Sequence, residues 1–305
     1  MRNVLLIAAA AVALCACSSK DADQTAGAAS PQAPSSEESA LDPLTSSERL
    51  DRILAAQPAE EQARYQHRHP KETLQFIGVE PGMTVVEVLP GGGWWTKILM
   101  PYLGASGAVI GADYPLEMWA LFGEFAPDPE KQKVWAAEWP AQAVGWCEDD
   151  CAPAKAVVYG SLPEEMKGTA DIVLMFRALH HFSRFEDDGG YLTAALKDTY
   201  DLLKPGGLVG VEQHRAPVAN SDAWADGENG YLKQDAVIAA FTAAGFEFVA
   251  SSEINANPKD QPTEQDFVWR LPPALATSRD NPALKAQMEA IGESDRMTLK
   301  FRKPG

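Results

Sequence analysis

The segment Thr84–Trp95 constrains the fold of this chain more than any other part of the sequence. It begins with a β-branched apolar run that reaches an acid, Glu87, and it then breaks into three consecutive glycines, Gly91, Gly92 and Gly93. A helix-compatible segment follows at once. Glycines let a backbone approach a ligand closely, and the acid suits a ribose hydroxyl or an amine. The pattern predicts the first strand, tight turn and helix N-terminus of a nucleotide-binding α/β unit.

Strands and helices alternate along the rest of the chain, which favours a doubly wound α/β fold with a mostly parallel, seven-stranded sheet. Strands are predicted at 84–89, 107–113, 156–159, 170–176, 208–213, 246–250 and 297–302. Helices are predicted at 47–56, 59–67, 70–77, 94–103, 191–203 and 233–244. Ligands bind beyond the carboxyl ends of the strands in such a sheet, so the functional residues are expected at that edge.

The N-terminus resembles a bacterial lipoprotein signal. Arg2 precedes an apolar run, Val4–Leu14, which is far shorter than the ~20 residues of a spanning helix. The run closes in a Leu-Cys-Ala-Cys box that ends at Cys17. This resemblance implies a signal peptide at 1–16 and lipidation of Cys17. With Ser18 next, and a Gram-negative source, it also implies an outer-membrane lipoprotein whose domain lies in the periplasm. A plain secretory signal is the alternative.

Two further regions follow the signal. Residues 17–45 are rich in Ser, Ala, Pro, Gln and acids, a composition that cannot bury enough surface to offset chain entropy. They are expected to form a disordered tether that spans roughly 30 Å. Residues 46–305 are expected to form the folded domain, and membrane contact is expected through the lipid anchor alone.

The charge and the cysteine content of the chain limit the kinds of partner that it is expected to bind. The chain carries a net charge of −17, which repels phosphate backbones and excludes nucleic acid as an expected partner. Cys147 and Cys151 lie four residues apart in a chain with an export signal, a spacing that suggests a local disulfide. A metal-binding pair is the rival interpretation. No further Cys or His lies beside the two cysteines, and no metal site is expected.

Several residues that carry chemistry follow the predicted strands. Three of the five histidines do so: His180, His181 and His214. A histidine has a pKa near working pH and suits a general base for a hydroxyl or phenol. Arg177 precedes the histidine pair and is a candidate for orienting a substrate. A buried structural histidine and an ion-paired arginine are the alternative interpretations.

From about residue 46 onwards, the chain resembles a class I S-adenosylmethionine (SAM)-dependent methyltransferase, and in particular exported bacterial predicted methyltransferases. The motif acid-x-Gly-x-Gly-x-Gly is matched by Glu87, Gly91 and Gly93, while Leu89 replaces its first glycine. The Leu-His-His stretch after the fourth strand and the Lys-Pro-Gly-Gly turn before the fifth are also similar. A dinucleotide fingerprint competes for the same turn, but Thr96 stands at its last position.

The resemblance implies SAM as the cofactor. It places Asp113 against the ribose hydroxyls and Ser161 near the adenine, with Glu87, Gly91, Gly92 and Gly93 completing the cofactor site. Catalytic roles are expected for His180, His181, Arg177 and His214.

The predicted function is methylation of a small aromatic or lipid-like molecule in the cell envelope. A tryptophan-rich insertion at 115–155 is interpreted either as a lid over an apolar acceptor or as a satellite core. SAM is made in the cytoplasm, and nothing in the sequence explains how it would reach an exported enzyme. A catalytically inactive nucleoside-binding or envelope interaction lipoprotein is therefore the alternative.

Overall fold

Seven strands form a single sheet in the computed structural model, which describes residues 44–305. The strands are β1 Thr84–Val88, β2 Ala108–Asp113, β3 Ala154–Val158, β4 Ala170–Phe176, β5 Leu203–His214, β6 Glu247–Ser252 and β7 Arg296–Arg302. Their order across the sheet is β3-β2-β1-β4-β5-β7-β6. Strand β7 is antiparallel to both of its neighbours, and the other pairs are parallel. The predicted doubly wound, seven-stranded α/β fold is confirmed.

Helices cover both faces of this sheet. They are α1 Ser46–Ala56, α2 Ala59–Gln62, α3 Tyr65–Arg68, α4 Pro70–Ile77, α5 Thr96–Leu103, α6 Leu116–Ala120, α7 Pro129–Val144, α8 Leu179–Arg184, α9 Glu186–Gly189, α10 Tyr191–Leu202, α11 Gln234–Ala243 and α12 Pro282–Ile291. Helix α4 shows why the bounds fall where they do. Pro70 occupies its first turn, where no intrahelical N–H is needed, and Gly78 ends it with a φ of 97°.

The apolar strand residues divide between two cores, one on each face of the sheet. Along β1, Val86 and Val88 belong to one core and Val85 to the other, as the alternation of side chains along a strand requires. Strand order reverses beside β1, because α5 leads to β2 on one side while β4 pairs on the other. A ligand crevice is expected at such a switch point.

The tryptophan-rich insertion lies partly against the sheet. Trp139 of α7 is buried, and its ring lies 2.8 Å from where a Cβ at Gly111 of β2 would stand. Trp135 and Trp146 pack on the same core. The sulfurs of Cys147 and Cys151 are bonded just beyond α7. Most of the insertion is thus structural, whereas Trp119 lies at the carboxyl edge of the sheet.

Some predicted bounds differ from the structure. The predicted helix 59–67 is two short helices, α2 and α3. Strand β5 starts at Leu203 rather than 208, because Leu203 already pairs with Ala170 across an irregularity in register. The signal peptide, Cys17 and most of the expected tether lie outside the described residues. Within 44–305, no helix has the length and apolarity needed to cross a membrane.

Candidate active site

The turn between β1 and α5 leaves its backbone open to a ligand at Gly92, while the ring of Trp146 covers Gly93. Gly91 and Gly93 have φ angles of 53° and 76°, in the left-handed region that glycine tolerates. A Cβ at Gly92 would meet no atom of the described residues within 4 Å. Leu89, at the position of the motif's first glycine, also has a positive φ, of 55°. The turn therefore keeps the shape of the motif although one glycine is replaced.

Glu87 lies buried at the end of β1. Its Oε2 accepts a hydrogen bond of 2.6 Å from the hydroxyl of Thr96 at the start of α5, while Oε1 accepts none from the described residues. Burial raises the pKa of Glu87 to about 8, against the opposing effects of the Thr96 hydrogen bond and the Arg177 charge. A carboxyl group in this state is ready to ionise when a cation arrives beside it.

Asp113 is the corresponding acid at the end of β2. Its Oδ1 accepts hydrogen bonds from the backbone N–H of Tyr114 at 2.8 Å and the indole N–H of Trp119 at 3.2 Å. Burial raises the pKa of Asp113 to about 6, and these two hydrogen bonds oppose the rise. Oδ2 accepts no hydrogen bond from the described residues, so one oxygen is free for a ligand hydroxyl.

His180 follows β4 and is held by an amide on β5. Its Nδ1 lies 3.2 Å from Oε1 of Gln213, whose amide nitrogen donates to the carbonyl of Gly230 at 2.9 Å. That orientation of the amide places the imidazole proton on Nδ1 and leaves Nε2 as an acceptor. Burial lowers the pKa of His180 to about 4. The ring is therefore neutral at pH 7, and the unperturbed pKa of about 6.5 does not apply.

The other two candidate histidines lie against it, with ring centroids 4.0 Å away for His181 and 5.4 Å for His214. Nδ1 of His181 is 3.0 Å from the hydroxyl of Tyr114, and Nδ1 of His214 is 2.5 Å from the hydroxyl of Ser294. Burial, reinforced by the neighbouring His180, lowers the pKa of both well below the usual value. The three rings form a neutral cluster whose hydrogen bonds fix their positions.

The histidines and Arg177 line one cavity of about 260 Å³ at the carboxyl edge of the sheet. The remaining lining residues are mainly apolar: Leu89, Phe176, Val268, Trp269, Leu271, Pro272, Pro273, Ala274, Glu293 and Ser294. Among the described residues, no group of three or more potential metal ligands is present. The structure thus brings the four expected catalytic residues together.

Sequence reasoning missed the cavity wall that residues 268–274 and 293–294 provide. Trp269 stacks over His181, with ring planes 10° apart, and Ser294 holds His214. The sequence contained a signal for this in Trp269, a large aromatic in a segment rich in Pro and polar residues. Gln213, which orients His180, lay at the end of a predicted strand and was not singled out.

Ser161 lies apart from this cavity. Its hydroxyl donates to the carbonyl of Val158 at 3.2 Å, and it lines a separate cavity of about 560 Å³ beside Tyr159 and Tyr191. The structure therefore does not bring Ser161 to the histidines.

A family described as "Methyltransferase domain" matches residues 60–251. Solved structures that the chain is similar to include a SAM-dependent methyltransferase from Aquifex aeolicus, at 15% identity over 68% of this chain and 93% of that chain, with a TM-score of 0.45. An arsenic(III) SAM methyltransferase from Chlamydomonas reinhardtii is 14% identical over 84% and 73% of the two chains, with a TM-score of 0.44. A geranyl diphosphate methyltransferase in complex with SAM is 14% identical over 83% and 90%, with a TM-score of 0.46. No curated protein sequence matches the chain.

The strand order and the open glycine turn define the class as that of the SAM-dependent methyltransferases. The family match covers well over half of the sequence, and the chain belongs to this family of methyltransferase domains.

SAM is the cofactor of this class, and the residues at the turn fit it. The space over Gly92 gives room for the cofactor. Oε1 of Glu87 offers an acidic partner for a cation, and Oδ2 of Asp113 offers an acceptor for a ribose hydroxyl. Glu87 and Asp113 are the residues that would hold it.

Proposed function

We propose that this protein methylates a hydroxyl or phenol group of a small molecule with an apolar body, and that His180 is the general base. The single observation that supports this is His180 itself. It is neutral, its Nδ1 is held by Gln213, and it lines a cavity with a partly apolar wall that adjoins the end of β1 at Leu89. The cofactor, when bound, supplies an electrophilic methyl group. The protein's main task is then to align the acceptor with that group.

Six residues of the cavity have a defined task in this proposal. The apolar wall of Trp269, Leu271 and Phe176 binds the acceptor body and excludes water. Nε2 of His180 accepts the hydroxyl proton that methyl transfer releases. His181 and His214, held by Tyr114 and Ser294, pack around His180 and keep its ring in place. Because the pKa of His180 is low, its rate contribution is expected near the lower end of the usual range, about 10²-fold.

The test combines binding with turnover. Calorimetry of the full-length protein with SAM and with S-adenosylhomocysteine is expected to show binding of both. Methyl-labelled SAM is expected to transfer label to one member of a panel of phenols and hydroxylated lipids. Binding without transfer to any acceptor would favour an inactive nucleoside-binding protein. If neither cofactor form binds at millimolar concentration, the methyltransferase proposal is wrong.

We also propose an envelope location, with Cys17 as the acylated N-terminus. It is supported by the Leu-Cys-Ala-Cys box and the polar stretch that follows it. Stable anchoring needs more than one acyl chain, at ~0.8 kcal/mol per buried methylene. Cys17→Ser is expected to abolish incorporation of labelled fatty acid and to release the protein from membranes. Unchanged fractionation without incorporated label would contradict it.

A further inference from the structure

Four arginines and two glutamates lie together beside the histidine cavity, and we refer to them as the arginine cluster. Its members are Arg64, Arg68, Arg177, Arg296, Glu212 and Glu293. Four of the six side chains are buried, while Arg64 and Arg177 are half-buried. Four guanidinium groups face the two carboxylates of the cluster, and Glu87, a further acid on which the Arg177 charge acts, has its pKa raised by burial to about 8. Buried ions are normally paired, because an unpaired charge away from water is costly.

Two of the arginines, Arg296 and Arg64, form the hydrogen bonds to the two carboxylates. Nη1 of Arg296 donates to Oε1 of Glu212 at 2.7 Å and to Oε2 of Glu293 at 3.1 Å. Arg64 donates through Nε and Nη2 to Oε1 of Glu293, at 2.8 and 2.6 Å. Although burial acts in the opposite direction, the charges of the surrounding arginines hold the pKa of Glu293 at about 2. Glu293 is therefore ionised, and Arg296 and Arg64 are both engaged by carboxylates.

The other two arginines are poorly paired. The guanidinium of Arg177 makes no hydrogen bond or ion pair to any described residue, and its Nε is buried without a partner. Arg68 is 2% exposed, and its Nε and Nη1 donate no hydrogen bond to any of the described residues. Its contacts are the face of Trp94, 4.4 Å from the ring centroid, and Glu293 at 3.7 Å. Burial and then the charge of Arg177 lower the pKa of Arg68 to about 8.

Arg177 projects from a backbone in the left-handed region, with a φ of 57°, and its N–H is bonded to the carbonyl of Glu212 at 2.6 Å. This position places it in the wall of the cavity, beside His180. A guanidinium group presents a planar fork of donors that matches a carboxylate or phosphate. An anion bound inside the cavity would give this charge a partner.

We propose that Arg177, with Arg68 behind it, binds an anionic group of the methyl acceptor, a carboxylate or a phosphate. This inference rests on the proposed function and narrows its acceptor to an amphiphile with an apolar body, one anionic group and a nucleophile near His180. The methionine carboxylate of SAM is the other anionic group that could pair with Arg177. Arg177 shares its cavity with His180 and Trp269, whereas Gly91, Gly92 and Gly93 do not line that cavity, which favours the acceptor.

The test uses calorimetry on the full-length protein with three probes: 4-hydroxybenzoate, its neutral analogue 4-hydroxybenzamide, and S-adenosylhomocysteine. The wild type is expected to bind the benzoate about tenfold or more tightly than the amide, because the charged group alone differs. Arg177→Gln is expected to weaken benzoate binding about 10- to 100-fold and to leave S-adenosylhomocysteine binding unchanged. Arg215→Gln is the matched control, since Arg215 lies at the same edge but pairs with Asp295 and Glu253.

Thermal unfolding separates a binding role from a structural one. Arg177→Gln is expected to keep or raise the melting temperature, because it removes a half-buried charge that has no partner among the described residues. If that variant fails to fold, the wild type still gives an answer: at matched ionic strength, 4-hydroxybenzoate should raise the melting temperature and 4-hydroxybenzamide should not.

Each remaining outcome is decisive. Loss of S-adenosylhomocysteine affinity with intact benzoate binding would assign Arg177 to the methionine carboxylate and overturn the proposal. Equal binding of benzoate and benzamide, or no binding of either, would also overturn it. If S-adenosylhomocysteine binds the wild type in those cases, the proposed methyltransferase function survives. Absence of S-adenosylhomocysteine binding would reject that function instead.

Discussion

Nδ1 of His180 lies 3.2 Å from Oε1 of Gln213, and the amide nitrogen of Gln213 is committed to the carbonyl of Gly230. The amide cannot rotate without losing this second bond, so the imidazole keeps its proton on Nδ1. The side of the ring that faces the cavity is then a fixed acceptor. Gln213 of β5 thus sets the tautomer of His180 in α8, the proposed base.

His180→Ala is expected to lower turnover about 10²-fold or more while leaving S-adenosylhomocysteine affinity nearly intact. His181→Ala is the comparison: it leaves the Tyr114 hydroxyl without its imidazole partner, so it is expected to lower stability more than turnover. Steady-state rates and melting temperatures measured on both variants check this. Wild-type turnover in His180→Ala would show that catalysis proceeds by alignment alone.

Glu87→Gln is expected to change how stability depends on pH. The folded pKa of about 8 lies above the unfolded value near 4.5, so the folded state binds the proton more tightly. The wild type should therefore lose stability as pH rises from about 4.5 to 8, at up to about 1.4 kcal/mol per pH unit from this group. Urea unfolding at pH 5, 6.5 and 8.5 should show a flatter profile for Glu87→Gln. The exposed Glu124→Gln should keep the wild-type slope; an unchanged slope in both variants would contradict the assignment.

Asp113→Ala is expected to weaken S-adenosylhomocysteine binding by about 1.5–3 kcal/mol, because a hydrogen bond to a charged acceptor is lost. Trp119→Phe gives a finer test. It removes a hydrogen bond that lowers the pKa of Asp113, so the carboxyl group should be more protonated near pH 6. Calorimetry should show weaker binding for Trp119→Phe at pH 6 and near wild-type binding at pH 8. A loss that is equal at both pH values would point to packing instead.

Replacing both cysteines, Cys147→Ser with Cys151→Ser, is expected to lower the free energy of unfolding by about 2 kcal/mol, as the loop they close is short. Treatment of the wild type with a reductant should produce a similar loss. The double variant is its own control, because the same reductant should not affect it. Urea unfolding with and without reductant measures all four states.

The sequence predicted those parts of the fold that local chemistry determines. Strand β4 occupies the predicted residues 170–176, since its apolar run is bounded by a loop and by Arg177. The glycine turn and the acids at the ends of β1 and β2 were also found, because they lie within one short motif or at a strand end. Their positions follow from the sheet itself.

The cavity wall could not be predicted in the same way. Trp269 and Glu293 lie in the connections on either side of α12, outside the α-helices and strands, so nothing local shows which way they face. Arg68 lies between the predicted helices 59–67 and 70–77 with nothing local to distinguish it, and the carboxylate that it contacts, that of Glu293, lies at the other end of the chain. The lowered pKa of His180 also required knowledge of its burial, because sequence alone gives only the ordinary value.

The ring of Trp146 occupies the place where a Cβ at Gly93 would lie. A change at either position therefore depends on the other: Gly93 tolerates no side chain while Trp146 remains, even apart from its positive φ. Substitutions in the insertion and in the glycine turn are thus coupled to each other. In homologous chains that lack this insertion, position 93 should be freer to vary than the methyltransferase motif alone suggests, wherever its backbone angle permits.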